Sequence, residues 1–191
     1  GWESEHDLRL PAQIRPQGHD IIRTWAFYTI LRSLALEGKR PWDSIVINGM
    51  VLGPDGHKMS KSLGNVISPE EVTTKYSADA FRQWGAVGGS TGSDVMFRWK
   101  DVVSASRFLQ KMWSIYRFSM SHLKGFGRED AEKFQMDSLH IIDRWLLSKL
   151  NRLVDTATKE LDEYQFDSTF KAIRGFAWEV LADNYLELVK G

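Results

Sequence analysis

Two lysines three residues apart, Lys58 and Lys61, sit in the stretch Gly56-His57-Lys58-Met59-Ser60-Lys61-Ser62-Leu63-Gly64-Asn65. Cations this close repel, so a short loop that carries both points to an anion between them. A lysine ammonium is a compact point charge suited to phosphate. Ser60, Ser62 and the loop amides add donors without adding charge. Gly56 and Gly64 let the loop turn and move. An arbitrary Lys-x-x-Lys is more often a solvated basic turn. A second candidate group lies upstream, in Gln17-Gly18-His19-Asp20. Gly18 lets backbone come close to a ligand. Asp20 reads with about even weight as a helix cap or first-turn carboxylate and as a functional anion. His19 reads as a packed histidine.

The elements that must hold these residues are readable from periodicity. Ile21, Ile22, Trp25, Tyr28, Thr29, Leu31 and Leu36 recur near the helical period, with Gly38 as the stop. Residues 44–52 are short, β-branched and bounded by turns, which predicts one buried strand of a parallel sheet. The order helix, strand, loop, helix suits the last βα unit of a doubly wound domain. Ligands in such sheets bind beyond the carboxyl ends of the strands, where the two-lysine loop lies. Ser68-Pro69-Glu70-Glu71 predicts a helix start, and Ser77 a second one running to about Val87. Residues 85–94 are glycine-rich, but no Lys-Ser/Thr follows and no strand precedes, so they read as a connector and not a phosphate loop. Val95, Phe97 and Trp99 alternate and suggest a short edge strand. From Asp101 on, three apolar stripes predict three helices packed as an antiparallel bundle, the second capped by Asp137 and the third by Asp167. The expected fold is therefore mainly α with a small α/β part.

Composition narrows the function. A hydrophobic fraction of 42%, with eight Trp and ten Phe, is enough for a real core. Net charge is zero, which excludes a polybasic nucleic-acid binder and leaves RNA contact to local patches. The absence of cysteine excludes disulfides and Cys-ligated metal, and suits a reducing, cytoplasmic setting. No metal site is expected, because His6, His19, His57, His122 and His140 are scattered. No apolar run approaches a membrane span, and no signal peptide is expected. The ends, Gly1-Trp2 and Gly191 after an apolar helical run, read as cut from something longer.

The string Lys58-Met59-Ser60-Lys61-Ser62 matches the KMSKS signature of class I aminoacyl-tRNA synthetases. Its frame agrees: Val51-Leu52-Gly53-Pro54-Asp55-Gly56 before it, and Leu63-Gly64-Asn65-Val66-Ile67-Ser68-Pro69 after it. Further on, Tyr76 to Arg82, Asp143-Arg144-Trp145 and Asn184-Tyr185-Leu186-Glu187 also resemble this family. The chain is most similar to the valyl members of the Val/Ile/Leu branch, over essentially its whole length. One departure is Asn48, where the family usually has His before the glycine that Gly49 matches.

The resemblance implies ATP, valine and tRNA(Val) as partners, with Mg²⁺ carried by ATP and not held by a protein cage. Valine would be activated to valyl-adenylate and then passed to the tRNA. The implied catalytic residues are Lys58 and Lys61, which would meet the leaving pyrophosphate. The implied nucleotide contacts are Gly49, Lys58, Met59, Ser60 and Lys61. Gly18, Asp20 and Ile21 would line the amino-acid pocket, Asp20 taking the ammonium and Ile21 the branched side chain. Arg82, Lys124, Lys171 and Arg174 are candidates for tRNA contact, Arg82 with the alternative of packing on Trp84. The implied domains are the end of the catalytic domain over 1–67, a stem-contact linker over 68–100, and part of a helical anticodon-binding domain over 101–191. Nothing here matches the other half of the class I ATP site, and no editing domain is visible, so this chain alone is expected to be inactive. An isoleucyl enzyme, or a non-catalytic tRNA-binding module, is the competing expectation.

Overall fold

The computed structural model describes residues 10–133 and 135–190. His6 lies outside the described residues. Strand β1 (Ala12–Gly18) leads through a single 3₁₀ turn (His19–Ile21) and a π-helical turn (Ile22–Ala26) into helix α1 (Phe27–Glu37). Gly38 ends that helix in the left-handed region at φ 64°, its N–H donating to the Leu34 carbonyl at 3.1 Å. The chain returns as β2 (Trp42–Asn48), parallel to β1, with Ala12 opposite Trp42 and Gly18 opposite Asn48. Trp25 stacks on Trp42 at 6.2 Å, and the Arg15 guanidinium lies 3.8 Å over the Trp25 ring.

The single strand expected over 44–52 is two strands. β2 stops at Asn48, and β3 (Val51–Leu52) belongs to a different two-stranded sheet, parallel to β4 (Val95–Met96). The break lies at Gly49, against which the Ser93 carbonyl packs so closely that a Cβ would stand 1.8 Å from its oxygen. Neither is the strand buried on both faces. Val46 is buried, whereas Ile45 is exposed.

Helix α2 (Pro69–Lys75) starts as expected: Ser68 Oγ accepts the Glu71 N–H at 3.1 Å, with Pro69 at the first helical position. Helix α3 (Ala78–Gly88) starts on Ser77, whose Oγ accepts the Ala80 N–H at 3.1 Å. These two helices, β4 and the start of α4 (Trp99–His122) enclose a core of Val72, Ala80, Trp84, Phe97, Val102 and Ala105. Phe97 is 1% exposed and meets Trp84 and Trp99 edge-on at 5.1 and 5.0 Å. Trp84 is therefore committed to the core, and Arg82 is exposed.

After α4 come short α5 (Arg128–Glu132), long α6 (Ile141–Asp162), α7 (Phe166–Gly175), a π-helical run over Phe176–Tyr185 and α8 (Leu186–Leu188). Two expected caps are corrected. Asp137 lies in a separate 3₁₀ turn (Met136–Ser138), and the extended residue His140 starts α6. The start is closed by Asp143, whose Oδ2 accepts the His140 N–H at 2.9 Å. Asp167 is a first-turn residue after the start at Gln165, and it takes Lys171 one turn on at 2.9 Å. Helix α6 packs on α7 and the π-helical run, and Phe108 of α4 stacks on Trp178 at 6.4 Å. The phenol of Tyr185 donates to Asp143 Oδ1 at 2.8 Å, tying the two family-like strings of this half together. No described helix is long and apolar enough to cross a membrane.

Candidate functional site

The two-lysine loop is built as a tight turn closed by side chains. The Gly53 N–H donates to the His57 carbonyl at 2.7 Å, and Gly56 turns the chain at φ 79°. Lys58 then bridges back to Leu52 in an antiparallel contact. Ser60 caps a 3₁₀ turn (Lys61–Leu63), its Oγ accepting the Ser62 N–H at 3.2 Å, and Gly64 ends the turn at φ 64°. Met59 packs against the core beneath α2 and α3 and anchors the loop there.

Asp55 and Asn65 fix the loop from inside, and no role for either is visible in the sequence. The Asn65 amide donates to both Asp55 carboxylate oxygens at 3.2 and 3.1 Å, and to the Lys58 carbonyl at 3.4 Å. Its oxygen accepts the Ser60 N–H at 2.8 Å. The His57 N–H and the Asn65 amide hold the Asp55 carboxyl below its usual pKa by favouring the charged form. A Cβ at Gly53 would stand 2.7 Å from Asp55 Oδ1, so a larger residue there would push the Asp55 side chain from its place. The signal that could have found this pair is its position: Asp55 and Asn65 each stand three residues outside the ends of the signature, both short side chains that bond nearby backbone.

The amino-acid candidates meet this loop. Gly18 ends β1, and His19-Asp20-Ile21 form one turn immediately beyond it. Lys58 Nζ lies 3.6 Å from Asp20 Oδ2. Two groups far apart in the sequence thus face each other past the carboxyl ends of β1 and β2. Lys61 has no ion-pair partner among the described residues, which leaves its charge available to an anion. Gly49 lies between β2 and β3 at the same end. His19 is not a packed histidine: it is exposed, and its Nε2 stands 2.8 Å from Asp94 Oδ1. That oxygen also accepts the Met50 N–H at 2.7 Å, and these two donors lower the Asp94 pKa.

The basic candidates do not converge. Arg82 lies on α3 and Lys124 in the turn after α4, both exposed. Lys171 is paired with Asp167. Arg174 is half-buried, donating to Ser104 Oγ at 3.1 Å and lying 5.2 Å over the Phe108 ring. Lys171 and Arg174 do share a groove of about 450 Å³ with Phe108 and Trp178. Among the described residues no group of three or more His, Asp or Glu is placed to hold a metal.

Comparison with known proteins gives a consistent result. Residues 1–98 match the family described as tRNA synthetases class I (I, L, M and V), and residues 143–191 match the anticodon-binding domain of tRNA ligase. The chain is 98% identical over all its 191 residues to a valine--tRNA ligase of Methanosarcina barkeri, covering 22% of that protein. It is 53% identical over 97% of its length to the valine--tRNA ligase of Pyrococcus horikoshii, covering 20% of it. The chain thus spans about a fifth of the length of the curated relatives it matches. Among solved structures, an Agrobacterium radiobacter K84 LeuRS in a ternary complex with tRNA and LeuAMS shares the fold with a TM-score of 0.75. Identity there is 21%, over 95% of this chain and 23% of that one. A Mycobacterium tuberculosis methionyl-tRNA synthetase bound by methionyl-adenylate gives a TM-score of 0.74 at 20% identity, over 95% of this chain and 35% of that one.

Proposed function

This chain belongs to the class I tRNA synthetases (I, L, M and V), and from that premise we propose that it is part of a valine–tRNA ligase. The structural observation that carries the proposal is the meeting of Asp20 and Lys58 at 3.6 Å, two residues that the family resemblance assigns to one site. Near-identity to valine--tRNA ligases over the whole chain favours valine over isoleucine, and an enzyme part over an accessory module.

In this proposal residues 1–67 end a doubly wound catalytic domain, 68–100 form the stem-contact linker, and 101–191 begin an antiparallel helical anticodon-binding domain. The apolar residues Phe27, Tyr28, Leu31 and Leu34, exposed on α1, support a larger catalytic domain that covers them. Asp20 takes the valine ammonium, and Ile21 narrows the pocket around the β-branched side chain. Gly18 and Gly49 let backbone approach the substrates. The leaving pyrophosphate of Mg·ATP gathers negative charge, which Lys58 and Lys61 stabilise. Ser60 and Met59 hold the loop in place for this, Ser60 through its cap and Met59 through the core. Catalysis is then positioning plus electrostatics. Lys171 and Arg174, with Arg82 and Lys124, contact tRNA(Val) phosphates. The assembled enzyme works in the cytoplasm, and the isolated chain does not aminoacylate.

The test is amino-acid-dependent ATP–pyrophosphate exchange by the full-length protein that carries this sequence. Exchange should be strongest with valine, weaker with threonine, and low with isoleucine and leucine. Lys61→Ala should reduce it by roughly 10²-fold or more, the scale of losing one charge-stabilising group. Strongest exchange with isoleucine would overturn the roles of Asp20 and Ile21. No exchange with any amino acid would favour an RNA-binding module.

A further inference from the structure

One carboxylate oxygen outside the signature joins both halves of the site. Asp94 Oδ1 accepts from His19 Nε2 at 2.8 Å and from the Met50 N–H at 2.7 Å. His19 immediately precedes Asp20 in a turn of only three residues, so the direction of one side chain constrains the other. Met50 immediately follows Gly49. The loop that carries Asp94 is itself spliced into this junction. The Gly92 N–H donates to the Ile47 carbonyl at 2.8 Å, and the Val95 N–H to the Met50 carbonyl at 2.9 Å. Ser93 backbone presses on Gly49. These backbone bonds hold Asp94 still, so its carboxylate is a fixed acceptor rather than a wandering surface charge. The turn His19–Ile21 has no side-chain cap of its own. Its described tertiary side-chain ties are His19 to Asp94 and Asp20 to Lys58. The second must be given up when Asp20 turns to another cation.

We propose that Asp94, acting through His19, is a positioning residue for the amino-acid pocket: the His19–Asp94 bond sets the turn that aims the Asp20 carboxylate. The inference rests on the valine–tRNA ligase reading and deepens it. It explains why an imidazole stands beside the ammonium-binding carboxylate: as a donor at Nε2 held by an acceptor from the linker between α3 and α4. It also makes that linker part of the amino-acid site, so that the α3–α4 region and substrate recognition share one hydrogen bond.

The experiment uses the full-length protein and measures valine-dependent ATP–pyrophosphate exchange with His19→Ala, His19→Gln, Asp94→Asn and the double variant His19→Ala/Asp94→Asn. His19 is exposed, so its variants test the idea even if Asp94→Asn folds poorly. With His19→Ala, KM for valine should rise roughly tenfold, about the worth of one charge-assisted hydrogen bond, while KM for ATP moves less than about twofold. His19→Gln keeps an N–H donor of similar reach and should recover most of the loss. The double variant should be no worse than the poorer single one, because both cut the same link. The inference is overturned by an unchanged KM for valine in His19→Ala, by equal rises in KM for valine and ATP, by failure of His19→Gln to recover, or by additive losses. Absence of valine-dependent exchange in the unmodified protein would instead overturn the underlying reading, and the inference with it.

Discussion

Replacing Gly49 by alanine separates two reasons for a glycine at this point. A nucleotide site asks for glycine so that a ligand can approach the backbone. The structure supplies a reason that needs no ligand: the new Cβ would lie 1.8 Å from the Ser93 carbonyl oxygen and 2.6 Å from the Asp94 nitrogen. Ordinary contact begins near 3.4 Å, so residues 93–94 must retreat by about 1.6 Å. That retreat breaks the Gly92–Ile47 and Val95–Met50 backbone bonds, which are 2.8 and 2.9 Å long. Each is worth about 0.5–1.5 kcal/mol net, so the two together cost about 1–3 kcal/mol. Hydrogen exchange of the Gly92 and Val95 amides, without any substrate, should lose protection by roughly 5- to 150-fold. Pyrophosphate exchange should fall about 10²-fold, as expected of a displacement of more than 1 Å beside the reacting groups. Gly85→Ala is the control. It lies within α3 with nothing within 4 Å of its Cβ, and should stabilise by about 0.5–1 kcal/mol. If Gly49→Ala keeps both amides protected and exchange within about twofold, close packing of Ser93 is refuted as the reason for glycine at this position.

Three further outcomes are expected. Asn65→Ala removes the group that holds the Ser60 N–H, Asp55 and the Lys58 carbonyl, so KM for ATP should rise roughly tenfold with KM for valine unchanged in the exchange assay. Phe97→Ala opens the core between α3 and α4 and should cost about 3–5 kcal/mol in urea unfolding, whereas Trp113→Ala, at a 60% exposed site, should cost much less. Tyr185→Phe removes a hydrogen bond to the Asp143 carboxylate and should cost about 1.5–3 kcal/mol at neutral pH. Burial, then Asp143, raises the phenol pKa above its usual value near 10. That contribution is therefore complete below about pH 10 and is lost as pH rises through the higher folded value. The alkaline fall in stability should be shallower in Tyr185→Phe, read from unfolding at a series of pH values.

What lies within four or five residues was legible without the fold. Ser68, Ser77 and Gly38 punctuate helices as expected, because caps and left-handed stops are made by the chain's near neighbours. The two close cations of the Lys58-to-Ser62 string stand out in the sequence, but their assignment to a nucleotide site came through the family resemblance and not from spacing. Asp137 and Asp167 misled because an aspartate before an apolar stripe has several good uses. The choice fell to Asp143 folding back on His140, and to Lys171 one turn beyond Asp167.

Tertiary structure alone decided which distant groups share an atom. Asp20 reaches Lys58 because parallel pairing of β1 with β2 sets Gly18 opposite Asn48, at the end from which the signature loop departs. His19 looked like a residue for the core and became a donor to Asp94 once the α3–α4 linker crossed the β2–β3 junction. At that same crossing, where the Ser93 carbonyl packs on Gly49, one apolar run is divided into two strands in two sheets. The physical reason is common to all three. Residue type determines what a group can bond to, but the partner is chosen by register and packing, which bring together segments that no local pattern connects.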